Sequence, residues 1–316
     1  PQLTSAIIDV MALLIFVFPI AWRVRVNGLE LLENKYVIEK SLEAQQAINQ
    51  LLSLPLHELS MEDFLNKALR VMQSVSWLKT LPQGAIFLHD EHEQVLNMVA
   101  SYNLAPEIKR QCAKVKQGQC LCGAAASTLS IQYHTHVNAV HTTGFEGMQD
   151  HGHYNMPLFS DGKLYGVLCL YLRPGQLINK NDASILDSFS VTIAELISHK
   201  QALEAIQLAE TVFEHNLTSL IITNAKNEIL NVNPGFTHVT GYEESEVLGK
   251  TPALLRSGKH NDGFYQAMWK ALDEQNSWEG EIWNRRKTGE LYPQWSSITT
   301  VRDKQGSVKN YVASFI

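Results

Sequence analysis

Residues 151–172 read HGHYNMPLFSDGKLYGVLCLYL, and the reading of this stretch decides the fold. Two apolar runs, 153–159 and 164–172, flank Ser160-Asp161-Gly162, a turn composition that joins antiparallel strands. Alternate residues of a strand share one face, so His151 and His153 present both imidazoles to the same side. Upstream, 61–73 reads as an amphipathic helix, 84–89 and 94–101 as two short strands, and 104–114 and 123–129 as helices. Downstream, 181–213 is a long helix carrying Leu186, Ile193, Leu196 and Leu203 among polar residues. Helix, two strands, helices, two strands, helix is the order of an antiparallel sheet with helices packed on it, an α+β fold.

The last hundred residues repeat that class with different spacing. A hairpin is predicted over 219–223 and 228–232, a short helix opened by Pro234, and an amphipathic helix over 264–272. Three strands follow, at 278–284, 291–299 and 307–315. At the other end, 6–22 is apolar apart from Asp9 and is followed at once by Arg23 and Arg25. This predicts a transmembrane helix over 5–22, with everything after it on the cytoplasmic side of the inner membrane. Asp9 would then face a partner helix, because a carboxylate facing lipid is costly. Residues 29–55 read as a connecting helix ended by Pro55, with a weak coiled-coil pattern that predicts a homodimer through the connecting helices.

Bulk properties exclude several classes. The chain of 316 residues is 45% hydrophobic and 18% charged, a globular composition. A net charge of -6 gives no basic face for a phosphate backbone, so no nucleic-acid partner is expected. No Gly-x-Ser-x-Gly elbow and no phosphate-cradling Gly-x-x-x-x-Gly-Lys string occurs, which leaves hydrolase and nucleotidase readings without support. All four cysteines fall between Cys112 and Cys169, a distribution that predicts free thiols rather than a disulfide framework. The chain does not open on Met and stops inside a predicted strand, so it is expected to be the sensory piece of a longer protein. The enzyme, if one follows, would be an output kinase, diguanylate cyclase or phosphodiesterase domain.

Two family resemblances organise these observations. Residues 201–316 resemble a PAS domain in the strings Asn231-Val-Asn-Pro-Gly-Phe, Val239-Thr-Gly-Tyr, Glu246-Val-Leu-Gly-Lys, Trp278-Glu-Gly-Glu-Ile-Trp-Asn-Arg-Arg-Lys and Tyr311-Val-Ala-Ser-Phe. The resemblance implies a five-stranded sheet with short helices around a small pocket. Residues 56–200 resemble a GAF domain in Gly84-Ala-Ile-Phe-Leu, Gly118-Gln-Cys-Leu-Cys-Gly123, Phe145-Glu-Gly-Met148, His151-Gly-His-Tyr154 and Gly166-Val-Leu-Cys-Leu-Tyr-Leu172. The Cys-x-Cys-Gly and His-Gly-His-Tyr pair is similar to a subtype that precedes PAS modules in bacterial sensor histidine kinases and cyclic-di-GMP signalling proteins. His136 stands where that subtype carries a Cys.

The chemistry concentrates in one region. Five of the chain's 12 histidines, His134, His136, His141, His151 and His153, lie within twenty residues, with Cys120 and Cys122 just upstream. Cys120, Cys122, His136, His141, His151 and His153 are the candidate metal ligands, a donor set coherent for iron, zinc or copper. An iron site that binds a diatomic gas or changes redox state is the first reading, with a small-molecule or gas ligand as partner, and a Cys120–Cys122 redox switch without metal the second. The third leaves the cysteines as core residues and the histidines in a polar loop. Cys120 and Cys122 can converge only in non-helical backbone ahead of a helix, where thiol pKa values are expected to fall. Cys112 and Cys169 are assigned to the core. In the PAS-like block a flavin or haem could stack on Trp269, Trp278, Trp283 or Trp295, although a Cys for a photoadduct is missing near Gly249. A ligand-free dimerisation module is the alternative function.

Overall fold

The computed structural model describes residues 18–137, 139–177 and 182–316. The chain divides into two compact units, residues up to 203 and residues 204–316.

The first unit opens with helix α1 (Phe18–Leu52), longer at its start than the 29–55 expected. The predicted transmembrane run 5–22 lies outside the described residues except for its last five positions. Among the described residues no helix is long and apolar enough to cross a membrane. Helix α2 (Met61–Ser74) begins where the Ser60 hydroxyl accepts from the Asp63 N–H, and buries Phe64, Leu65, Ala68, Leu69 and Met72 along one stripe. Strands β1 (Thr80–Asp90) and β2 (Val95–Tyr102) follow, then α3 (Pro106–Gln111), β3 (Lys114–Lys116), α4 (Cys120–Thr128) and β4 (Gln132–His134). Strands β5 (Gly152–Ser160) and β6 (Lys163–Leu172) form the expected hairpin, and α5 (Ala183–His215) closes the unit. The antiparallel sheet has six strands in the order β3-β2-β1-β6-β5-β4.

Two expectations need correction. The helix predicted over 104–114 is only α3, because the chain leaves it at Cys112 to add β3 to the sheet edge. The helix predicted from 123 starts three residues earlier, at Cys120, which takes a left-handed φ of 56°. The Cys-x-Cys pair is therefore in the first turn of a helix, not ahead of it.

The two faces of this sheet have different jobs. Tyr154, Met156, Leu158, Leu168, Leu170 and Leu172 point into one core with the stripe of α2, with Ala44, Ala47 and Leu51 of α1, and with Phe189, Ile193 and Ile197 of α5. A buried Lys40–Asp182 ion pair ties α1 to the start of α5, with the ammonium 4.2 Å from the centre of the Trp77 ring. The intervening residues of β5 and β6, with Ala85 and Phe87 of β1, face the opposite way, under α3, α4 and Phe145 and Met148 of the loop that precedes β5.

The second unit contains β7 (Ser219–Asn224), β8 (Ile229–Val232), α6 (Pro234–Thr240), α7 (Glu244–Val247), α8 (Asp262–Gln275), β9 (Ser277–Arg285), β10 (Leu291–Arg302) and β11 (Val308–Phe315). Its five-stranded sheet has the order β8-β7-β11-β10-β9, as expected of this block. Asn233 caps α6, Pro234 occupies its first turn, and Gly241 ends it in the left-handed region.

Candidate metal centre

The second face of the first sheet carries the site. His153 pairs across the hairpin with Tyr171, and Asn155 with Cys169, so these four side chains form a square on that face. His151, two residues before His153, joins them through the same alternation. The long loop after β4 brings His141 down onto the pair. One nitrogen from each of His141, His151 and His153 lies within 4.8 Å of the others. Ring centres are 4.6 Å apart for His151 and His153, 4.9 Å for His141 and His153, and 5.5 Å for His141 and His151.

Burial makes this grouping chemically demanding. His151 is 7% exposed and His153 2%. Nδ1 of His151 lies 2.7 Å from the Gln149 carbonyl oxygen, which fixes its proton there and leaves Nε2 as a bare lone pair. Nε2 of His151, Nε2 of His153 and Nδ1 of His141 are all buried without a hydrogen-bond partner. Three unpartnered buried ring nitrogens in one place are costly unless something fills the gap, and a metal ion would do so by taking their lone pairs. The donor set fits a metal ion.

Burial and the facing imidazoles hold the pKa of His153 well below its ordinary 6.5, and lower that of His141 for the same two reasons. In the unfolded chain both rings take up a proton near pH 6.5, whereas in the fold they do so only at lower pH. The unfolded state thus binds more protons as pH falls, and stability is lost from about 6.5 downward, at up to about 1.4 kcal/mol per pH unit for each ring. Denaturant titration of chelator-treated protein between about pH 8 and pH 5 should show this slope. His153→Gln, which stays neutral throughout, should flatten it; an unchanged slope would refute the assignment.

The remaining candidates lie outside the three-imidazole group. His136 is exposed, with Nδ1 2.6 Å from Asp150 Oδ2. Cys120 is buried at the start of α4, and Cys122 donates its S–H to Asn155 Oδ1 over 3.2 Å. For Cys122 the expected low thiol pKa is overturned. Hydrogen bonding to Cys169, and then burial, raise that of Cys122 well above the ordinary value, and burial lifts Cys112 to about 11. All four cysteines line a cavity of about 30 Å³ together with His141, His153, Asn155 and Tyr171. This volume holds one or two water-sized molecules. Sequence reasoning missed Cys169, Asn155 and Tyr171, although period two from His153 along β5 and across to β6 was sufficient to find them.

The 217–316 unit holds a cavity of about 120 Å³ lined by Thr223, Tyr265, Trp269, Asn284, Gln294 and Ser296 among others. An engineered cavity of about 150 Å³ holds a single benzene ring, so this space is smaller than a flavin or a haem. Trp269 lines it, while Trp295 is 57% exposed.

Comparison with known families agrees with both units. Residues 58–198 match the GAF domain family and residues 217–316 the PAS domain family. The chain is a GAF domain followed by a PAS domain. A "Nitrogen fixation regulatory protein" of Klebsiella oxytoca is 34% identical over 103 residues, 33% of this chain and 21% of that protein. A "Blue-light-activated histidine kinase" of Brucella anthropi is 30% identical over 98 residues, 30% of this chain and 20% of that protein. The chain thus spans about a fifth of the length of these curated relatives. The crystal structure of a PAS domain from Colwellia psychrerythraea aligns with a TM-score of 0.34 and 16% identity, over 35% of this chain and 95% of that one. Both matched families are sensory, so the GAF–PAS pair is a sensory input region of a signalling protein.

Proposed function

We propose that the GAF domain senses through a metal ion held by His141, His151 and His153. Three convergent, buried imidazole nitrogens with no other partner carry this reading. Imidazole donors suit zinc, copper and iron alike, and iron is preferred because a sensor needs an ion that changes redox state or takes a small ligand. When bound, the ion would supply that ligand-binding or redox chemistry. The residues of the chain do the rest. His151 is held by the Gln149 carbonyl, Tyr171 stacks on its ring at 4.8 Å, and the adjoining cavity admits only molecules the size of water or a diatomic gas.

The sensed change would pass along α5, whose first half is buried in the GAF core at Leu186, Phe189, Ile193 and Ile197, to the PAS domain and an output domain beyond it. A kinase or cyclic-di-GMP enzyme as output, anchoring of residues 5–22 in the inner membrane and dimerisation through α1 belong to the same proposal. Exposed Leu31, Leu32, Val37, Ile38 and Leu42 on α1 support the last of these.

The test is metal content. Protein purified without added metal should contain iron, zinc or copper in stoichiometric amount, measured by mass spectrometry. His141→Ala, His151→Ala and His153→Ala should each lose it. Unchanged content in all three variants sinks the reading.

A further inference from the structure

The thiols beside the imidazole group have no role in the reading above, yet their hydrogen bonds are directional. Asn155 Oδ1 can only accept, so Cys122, which lies 3.2 Å from it, spends its single proton there. The Cys169 sulfur lies 3.5 Å from Nδ1 of His153. Nε2 of that ring is buried without a partner in the group formed with His141 and His151, and a nitrogen that holds a metal ion must carry the lone pair. A neutral imidazole then has its proton on Nδ1, so in this contact the thiol sulfur accepts.

We propose that Cys169 is a positioning residue: its sulfur accepts the Nδ1–H of His153 and so presents Nε2 of that ring to the metal ion. This rests on the three-imidazole reading and deepens it. Histidines that ligate a metal usually donate their other N–H to an oxygen acceptor, which fixes both tautomer and ring orientation. His151 does so with the Gln149 carbonyl. For His153 the same task falls to a thiol, which is why a cysteine stands mid-strand between Leu168 and Leu170, where any aliphatic residue would pack. Cys169 on this account is not a ligand. It lies on the Nδ1 side of the ring, away from the nitrogen that converges with the other two.

Cobalt(II) is a suitable probe, because its visible absorption reports both occupancy and donor type. The full chain is freed of metal with a chelator, titrated with cobalt(II), and compared with Cys169→Ser, Cys169→Val and Cys169→Ala, each checked for native far-ultraviolet dichroism. Serine keeps an acceptor and should bind within a few-fold of the wild type. Valine restores apolar volume without an acceptor, and alanine does neither. Both should lose about 10–100-fold in affinity while stoichiometry is retained at saturation. Packing alone would make valine the better replacement and serine the poorer, which overturns the proposal. So does an affinity that is unchanged or higher in valine and alanine, or a sulfur-to-cobalt charge-transfer band in the wild type that disappears in Cys169→Ser. A wild-type chain that binds no cobalt, or binds it undiminished after His151→Ala, removes the three-imidazole reading itself.

Discussion

Asn233→Asp is expected to unfold the PAS domain at neutral pH, although it exchanges one amide nitrogen for an oxygen. The side chain is 1% exposed and every polar position on it is used. Oδ1 accepts from the backbone N–H of Leu220 at 2.8 Å and of Phe236 at 3.0 Å. Nδ2 donates to the carbonyls of Phe213, Asn216 and Thr218 at 3.2, 3.0 and 2.9 Å. One residue thereby fastens the end of α5, the start of β7 and the cap of α6. Aspartate retains the two accepted bonds but turns a buried carboxylate onto three carbonyl oxygens, with no donor left for any of them. Leaving buried groups unpaired costs about 1–3 kcal/mol each, and an uncompensated charge more. A loss beyond about 4 kcal/mol is therefore expected, in the range that few single substitutions reach. Asn233→Ala should cost less than aspartate, because it removes the bonds without adding the charge. Denaturant unfolding of the three proteins gives the order directly, and aspartate proving milder than alanine would contradict this account.

The same residue shows what the sequence makes legible. Asn-Pro-Gly-Phe announces a capped helix, because Asn favours the cap and Pro the first turn, and that reading holds. That the cap also reaches back to Phe213 depends on a contact across 20 residues, which no local pattern encodes. In the GAF domain the outcome divides in the same way. Strands β5 and β6 follow from alternation around a turn, whereas β3 and β4 are three residues each and too short to show a period. The start of α4 is misread because Cys120 adopts a left-handed conformation in which glycine would be expected, and Gly118 and Gly123 draw the eye as the turn instead. His151 and His153 are found from period two, but the histidines of the loop give no such guide. His141 folds onto the pair, while His136 turns to Asp150, and no period in the sequence separates the two. Cys169 reads as core because its neighbours in sequence are Leu168 and Leu170. It is buried, at 4% exposure, yet its sulfur serves a histidine on the other face from those leucines.

Gly166→Ala should abolish the folded GAF domain, for a reason confined to the backbone. Gly166 lies in β6 between Leu158 of β5 and Leu88 of β1. A Cβ built there falls 1.9 Å from the carbonyl oxygen of Phe87, 3.0 Å from its carbonyl carbon and 3.3 Å from the Cα of Leu88. No side-chain rotation relieves a collision with main-chain atoms, so β1 and β6 must separate locally or the pairing must slip. A slip by one residue would carry Cys169 and Tyr171 to the face packed by α1, α2 and α5, and Leu168 and Leu170 to the face of the three imidazoles, exchanging the two environments. Separation instead breaks the central pair of the sheet, the strands on which both GAF cores are built. Either route costs more than the roughly 1–3 kcal/mol of ordinary overpacking, because rigid backbone rather than a movable side chain is displaced. Cobalt(II) binding should vanish together with the cooperative unfolding of the GAF core, since His153 faces Tyr171 only while β5 and β6 keep register. Gly162→Ala, whose added Cβ meets nothing within 4 Å, is the control for helix- or strand-propensity effects in the same hairpin, and it pays only for its φ of 77°. A Gly166→Ala protein that unfolds at the wild-type denaturant concentration would show that β1 and β6 lie farther apart than this packing requires.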